Sequence, residues 1–424
     1  MSGSRNSVHT CEERGIGGCA EDANAWIEPD SLPTRFAITA LDLDVTKRCN
    51  LRCTYCFKSG TVYPAAEDMS FSVAACAVDW LIEASMDADH IDVYLIGGEP
   101  LLAWDMIEQL VPYGKLRASQ FGKSIQFGTT TNLTLVNEDN IEFAKKWGMG
   151  WHCSIDGISK VQDSQRPGVG GYPSATIAES GAKLVLEASP DSCARSTITP
   201  LNISYLYSNV RYFEKLGFKY FAIACANEQE WDERQLEGYD AQWEKLVSYA
   251  IDVYRCGRRF GLIAIDYLVK THVADDSIEY SCGAGRGTVL IDQNGDLWPC
   301  HRWDGADYDS GAGGQWRLGN IFGGPFNEDL HVALLQRDRK ISQFESCENC
   351  ELNKICAGGC PAANIVETGN IYRRSENSCR FSRIVFKHAL RFHDTLLKEK
   401  NRTFMDQFYR DKKEPMNRKH SDEL

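Results

Sequence analysis

The sequence predicts an α/β protein in two parts, an open or partial barrel of parallel strands followed by a small cysteine-rich domain. Three observations lead there. Between Ile38 and Cys225 short apolar runs alternate with stretches of helical period, and strand–helix alternation means parallel strands joined by crossover helices. From residue 282 to 381 the periodic runs give way to Gly, Cys and turn residues, the composition of a unit stapled by something other than a large core. No segment offers 18 consecutive apolar residues, so no membrane partner is expected.

Taken in order, residues 1–38 are rich in Gly, Ser and Glu without periodicity and predict an N-terminal arm. Residues 39–229 form the barrel. Its candidate strands are Ala40–Val45, Ile91–Ile96, Ile125–Thr130, Gly150–Ile155, Ala194–Thr199 and Tyr220–Cys225. Between the first two, Phe71, Ala74, Val78, Leu81 and Ile82 recur at helical spacing, with Ser70 or Ser72 placed to cap the start. After Pro100, Leu102, Met106, Leu110 and Val111 repeat the pattern. Residues 230–281 read as a helical bridge, with Trp243, Leu246, Tyr249, Ala250 and Val253 on one face. The cysteine-rich domain occupies 282–381, and 382–424 reads as a C-terminal helix with a flexible tail. Ligand chemistry in such folds sits at the carboxyl ends of the strands.

The 424 residues carry 43% apolar side chains and a net charge of −13. No basic stripe appears before the mixed-charge tail, so no nucleic-acid partner is expected. The first thirty residues lack the apolar stretch of a secretory signal, and a cytoplasmic location follows. The terminal Ser421-Asp422-Glu423-Leu424 is taken as chance. Seventeen cysteines in such a chain point to metal binding or chemistry more than to disulfides. Ten of them fall into spaced sets; the other seven read mainly as small buried hydrophobes.

The first set is Cys49, Cys53 and Cys56, in a loop directly after the first strand. Three thiolates within eight residues can cap three irons of a [4Fe–4S] cube, leaving the fourth iron a coordination site for substrate or cofactor. A zinc site, the alternative, would normally close with four ligands. The C-x3-C-x2-C spacing resembles the radical S-adenosylmethionine (SAM) superfamily. The resemblance implies an enzyme whose cluster binds SAM and reductively cleaves it to a 5′-deoxyadenosyl radical. Further segments match in order. Gly97-Gly98-Glu99-Pro100 looks like the family's GGEP segment, which meets the SAM amino group. Thr131 and Asn132 fall where the family contacts SAM ribose and carboxylate. Ser154-Ile155-Asp156-Gly157 ends the fourth strand, Arg166 follows where the family often places a SAM-carboxylate arginine, and Tyr55 sits where an aromatic packs on adenine.

The remaining seven spaced cysteines run C-x12-G-x4-C, then C-x2-C-x5-C-x3-C, then C. This resembles the SPASM domain of peptide- and protein-modifying radical SAM enzymes, which holds two auxiliary [4Fe–4S] clusters; a pair of zinc knuckles is the alternative. Carried over, Cys347, Cys350, Cys356 and Cys379 enclose one auxiliary cluster, and Cys282, Cys300 and Cys360 hold the other. The eight-cysteine members place a further cysteine where this chain has Thr288, so that cluster lacks an obvious fourth ligand. Sulfatase maturases carry an acidic residue directly after the cysteine matching Cys300. This chain has His301 there, followed by Arg302 and Asp304. His301 is the candidate proton acceptor, since an imidazole titrates near neutrality.

The reading is therefore a maturase with three [4Fe–4S] clusters and SAM. It abstracts hydrogen from a peptide or protein, most simply a ribosomal precursor peptide, and forms a thioether, C–C or C–O crosslink. A formylglycine-generating dehydrogenase of the anaerobic sulfatase maturase type is the alternative. A non-catalytic iron–sulfur or zinc interaction protein is the alternative of another class. An electron donor such as flavodoxin or ferredoxin is implied. With about 38 residues before the first strand, leader recognition falls to the barrel, the bridge or a separate leader-binding protein.

Overall fold

The computed structural model describes residues 37–58, 68–273, 282–303, 313–336, 344 and 347–410. The arm expected over 1–38, apart from Ala37 and Ile38, lies outside the described residues, as do Asp304 and the tail after Arg410. Among the described residues no helix is long and apolar enough to cross a membrane.

All six strands read from the sequence are present: β1 (Ala40–Thr46), β2 (His90–Gly97), β3 (Ser124–Thr131), β4 (Gly150–Ser154), β5 (Cys193–Ile198) and β6 (Tyr220–Cys225). They pair in sequence order and all in parallel. Helices α1 (Phe71–Ala84), α2 (Trp104–Gln120), α3 (Glu138–Trp147), α4 (Ser159–Gln165), α5 (Ala175–Ala188) and α6 (Leu206–Leu216) form the connections. Ser70 is the residue that caps α1, its hydroxyl accepting from the Val73 amide.

Side-chain alternation along the strands decides what the sheet can do. Leu41, Leu43, Val45, Ile91, Val93, Leu95, Ile125, Phe127, Trp151 and Cys153 share one parity and are buried. The other parity carries Asp42, Asp44, Tyr94, Gln126, Thr130, His152, Ser154, Arg195 and Thr197. Parallel strands covered on both faces usually read as continuous apolar runs; these alternate because their second face lines a polar lumen.

The C-terminal segment joins this sheet. Strand β7 (Gly261–Leu262) extends it beyond β6, while β8 (Thr288–Ile291) pairs in parallel with β1. Strands β9 (Asp296–Trp298) and β10 (Gly319–Asn320) follow antiparallel, giving the order β10-β9-β8-β1-β2-β3-β4-β5-β6-β7. The β8–β9 turn is organised by the Asp292 carboxylate, which accepts from the amides of Asn294 and Asp296 and from the Trp298 indole. This hairpin delivers Cys300 and His301 to the side of β1. The cysteine-rich segment thus begins as an extension of the barrel sheet, which composition alone does not reveal.

Helices α7 (Glu233–Arg255) and α8 (Ile263–Val273) precede it; α9 (Glu328–Gln336), α10 (Asn353–Cys356) and α11 (Pro361–Thr368) lie within it; α12 (Glu376–Lys398) and α13 (Arg402–Phe408) close the chain. Helix α12 starts before residue 382 because Ser375 caps it at the Ser378 amide, which puts Cys379 in its first turn. Its Phe381 packs on Tyr239 of α7 and on Trp231 just before that helix, and Asp240 pairs with Lys387 and His388, and Glu244 with Arg391.

Candidate active site

The loop from Thr46 to Lys58 leaves the top of β1 and is pinned from several sides. Arg48 pairs with Asp68 and donates to the Leu102 carbonyl at 2.6 Å. The Arg52 and Thr54 amides donate to the carbonyls of Pro167 and Gln165. Asn50 donates to the Thr134 hydroxyl and accepts from the Asn132 amide nitrogen. At its far end Lys58 turns back into the barrel, where its ammonium lies 2.8 Å from the fully buried Asp44 carboxylate. Cys49, Cys53 and Cys56 are thereby fixed at the mouth of the lumen.

Gly97 and Gly98 lie under this loop. The Gly98 amide donates to the Thr46 carbonyl, and a Cβ added at Gly98 would sit 2.2 Å from the Arg48 carbonyl oxygen. Only a glycine lets the two backbones come so close. Glu99 turns away from the cavity. Its buried carboxylate accepts from the Thr131 hydroxyl at 2.8 Å, the Asn132 amide at 2.7 Å and the Leu101 amide at 3.2 Å. Burial pushes its pKa up to about 7 against these donors, and its role here is to tie the ends of β2 and β3 together.

Parity sorts the rest. Thr131 is 1% exposed and bound to Glu99, whereas Thr130 faces the lumen. Of the Thr131–Asn132 pair singled out in the sequence, only Asn132 lines the cavity. Ser154 and Arg166 line it as well. Asp156 is fully buried behind them, its carboxylate accepting from Tyr55 at 2.5 Å and from the Thr197 amide, and ion-paired with Arg166 at 3.0 Å. The Arg166 guanidinium stands 5.5 Å from the Tyr55 ring centroid. Asp156 therefore positions Arg166 and Tyr55 rather than facing the cavity itself.

The cavity is about 450 Å³. At one end are Cys49, Cys53, Cys56, Gly97 and Gly98; at the other are His301 and Arg302. His301 Nδ1 lies 2.7 Å from Asp42 Oδ2 of β1. A carboxylate only accepts, so Nδ1 carries the hydrogen and Nε2 is left for the cavity. Arg302 pairs with Glu228 after β6. Sequence reasoning missed Asp42, Thr130, Arg195 and Glu228; the strand alternation Leu41-Asp42-Leu43-Asp44 was the available signal for the first.

A second, smaller cavity is lined by Cys347, Cys350, Cys356 and Cys379 with Arg374 and Arg383. The Arg383 guanidinium is 3.6 Å from Cys350 Sγ. Four thiols facing one hollow beside two guanidinium groups fit a thiolate-bound, net-negative cluster. Cys300 is half-buried with Cys360 and Cys282 as its neighbouring thiols. Thr288 Oγ1 lies against the turn at Gly283, beside Cys282. At the barrel mouth, three cysteines above a cradle too tight for any Cβ fit a cluster left open to a small ligand.

A model of the radical SAM superfamily matches residues 43–188, the stretch that supplies the cysteine loop, the Gly97–Gly98 cradle and Arg166. This chain carries a radical SAM domain. The superfamily is one of enzymes that work with SAM and an iron–sulfur cluster. An uncharacterised protein of Methanocaldococcus jannaschii is 33% identical to the chain over 179 residues, 42% of this chain and 59% of that protein. The chain thus spans less than two thirds of that relative. The cysteine-type anaerobic sulfatase-maturating enzyme of Clostridium perfringens is 24% identical over 340 residues, covering 74% of this chain and 85% of the enzyme. The structure of native anSMEcpe with bound AdoMet and Cp18Cys peptide superimposes with a TM-score of 0.69 at 20% identity, over 85% of this chain and 99% of that one. That likeness is one of fold, and it extends well past the radical SAM domain.

Proposed function

We propose that the chain is a radical SAM maturase with a C-terminal SPASM-type domain, acting on a side chain of a peptide or protein. The observation that carries this reading is the single cavity joining Cys49, Cys53 and Cys56 to His301 and Arg302, since a substrate held there would touch both halves of the chain. Cys49, Cys53 and Cys56 would hold a [4Fe–4S] cluster, which when bound would supply the electron for SAM cleavage. The chain's own groups do the rest. Gly97 and Gly98 bring backbone against the cofactor, Asn132, Ser154 and Arg166 orient its polar groups, and Tyr55 lies against its base. His301, held by Asp42, accepts the proton released when the substrate is oxidised. Cys347, Cys350, Cys356 and Cys379 hold one auxiliary cluster, and Cys282, Cys300 and Cys360 the other, giving three clusters in all.

For the reaction we favour crosslinking of a precursor peptide, because the acid expected of a sulfatase maturase is replaced by His301. Similarity to the Clostridium perfringens enzyme favours formylglycine formation as the second reading. The test is anaerobic reconstitution followed by SAM, dithionite and candidate peptides. About twelve irons per chain and 5′-deoxyadenosine that disappears in Cys49→Ala are expected. No 5′-deoxyadenosine from the intact protein would sink the proposal. An aldehyde captured by a hydrazine probe on a sulfatase peptide would select the second reading.

A further inference from the structure

One arginine of the cavity wall stands outside its ion pairs. Lys58 is matched by Asp44, Arg166 by Asp156, His301 by Asp42 and Arg302 by Glu228, while Glu99 is taken up at the end of β3. Arg52, at the rim, donates to the Cys49 and Leu51 carbonyls. Arg195 is left over. It projects from β5 into the lumen, level with Ser154 of β4 and Ala222 of β6, and lines the cavity. Among the described residues its guanidinium has neither an ion pair nor a side-chain hydrogen bond.

Its surroundings are mixed in charge. Asp42 attracts it but is already engaged by His301, and the guanidinium groups of Arg166 and Arg302 repel it. The protein around the lumen and these like charges hold its pKa below the ordinary arginine value. Arg195 is accessible from the cavity, and a planar guanidinium fork is shaped to take a carboxylate through two parallel bonds. Thr130, Ser154 and Thr197 add hydroxyls to the same lining.

Resting on the maturase reading above, we infer that Arg195 is a specificity residue, and that the peptide substrate presents a carboxylate to it beside the residue being modified. The carboxylate comes from an Asp or Glu side chain or from a peptide C-terminus. Arg166, with its own fixed counter-ion, remains the arginine at the SAM end.

The test uses reconstituted holoenzyme with SAM and three capped probes: N-acetyl-glutamate amide, N-acetyl-glutamine with a free carboxyl terminus, and N-acetyl-glutamine amide. Saturation-transfer NMR titrations read their binding. One or both carboxylate probes should bind about ten- to a hundred-fold more tightly than the neutral one. Which of them does so tells the side chain from the C-terminus. Arg195→Gln should abolish that preference, and Arg195→Lys should keep part of it, each with iron content and melting temperature near wild type. Equal binding of all three probes, or a preference that survives Arg195→Gln, overturns the inference. So does a ten-fold or greater loss of SAM affinity in Arg195→Gln by equilibrium dialysis, which would make Arg195 a cofactor ligand. Failure of the intact enzyme to cleave SAM would instead strike the maturase reading, because the binding preference is measured without turnover.

Discussion

Replacing Gly98 by alanine tests how the barrel holds its cysteine loop. The backbone there has torsions that any residue adopts, since Gly98 is absent from the positive-φ glycines, so the effect is steric alone. The new Cβ would lie 2.2 Å from the Arg48 carbonyl oxygen, 2.7 Å from its carbon and 3.0 Å from Cys49 Cβ. To reach ordinary van der Waals separation the loop and the end of β2 must part by about 1 Å. Two hydrogen bonds run through that contact, from the Gly98 amide to Thr46 and from the Glu99 amide to Arg48. Stretching them while overpacking the site should cost about 2 kcal/mol of stability. A displacement of about 1 Å at the reacting groups should lower 5′-deoxyadenosine formation by about 10²-fold. The assay is single-turnover SAM cleavage with dithionite after anaerobic reconstitution, with iron counted to show that the C-terminal sites still load. A Gly98→Ala enzyme within two-fold of wild type would refute the claim that this contact sets the loop.

Gly238→Ala is the companion control: its Cβ meets nothing nearer than 3.9 Å within α7, so the variant should be more stable by about 0.5–1 kcal/mol in urea melts, with unchanged activity. Lys58→Met removes the ammonium ion-paired with the buried Asp44 and should destabilise the fold by about 3 kcal/mol, whereas Lys58→Met with Asp44→Leu should recover much of it; denaturant midpoints decide. Asp266 is raised by burial from 3.8 to about 7, with nearby Lys270 and Arg259 offsetting only part. The folded state therefore holds this proton longer than the unfolded chain, and stability from this group is complete below pH 4 and lost as pH rises toward 7. Asp266→Asn should match wild type at pH 4 and exceed it at pH 8 by about 2 kcal/mol, allowing for partial exposure; equal stabilities at pH 8 would contradict this.

Much of the molecule was written locally. The six barrel strands follow from runs whose helix-facing parity is apolar, and the Ser70 cap and the spaced cysteines are properties of neighbours in sequence. Such features survive without a structure because periodicity and short spacing are the physics of single elements. Boundaries set by a cap partner were less visible: α12 begins at Glu376 because Ser375 finds the Ser378 amide, though the aromatic period starts later.

What only the tertiary structure decided is what each polar group faces. Sequence order placed Thr131, Asp156 and Glu99 with the site residues, but a strand turns alternate side chains to opposite faces. Thr130 takes the lumen, Glu99 spans two strand ends and Asp156 backs Arg166. The Asp42–His301 pair joins residues 259 positions apart, and it exists because β8 docks in parallel on β1. That Arg195 stands outside the ion pairs of the lumen likewise appears only once Asp42, Asp44, Asp156 and Glu228 have each been placed with a partner from another strand or loop. Composition fixes how many charges a chain carries; the fold determines which of them are left without a counter-ion.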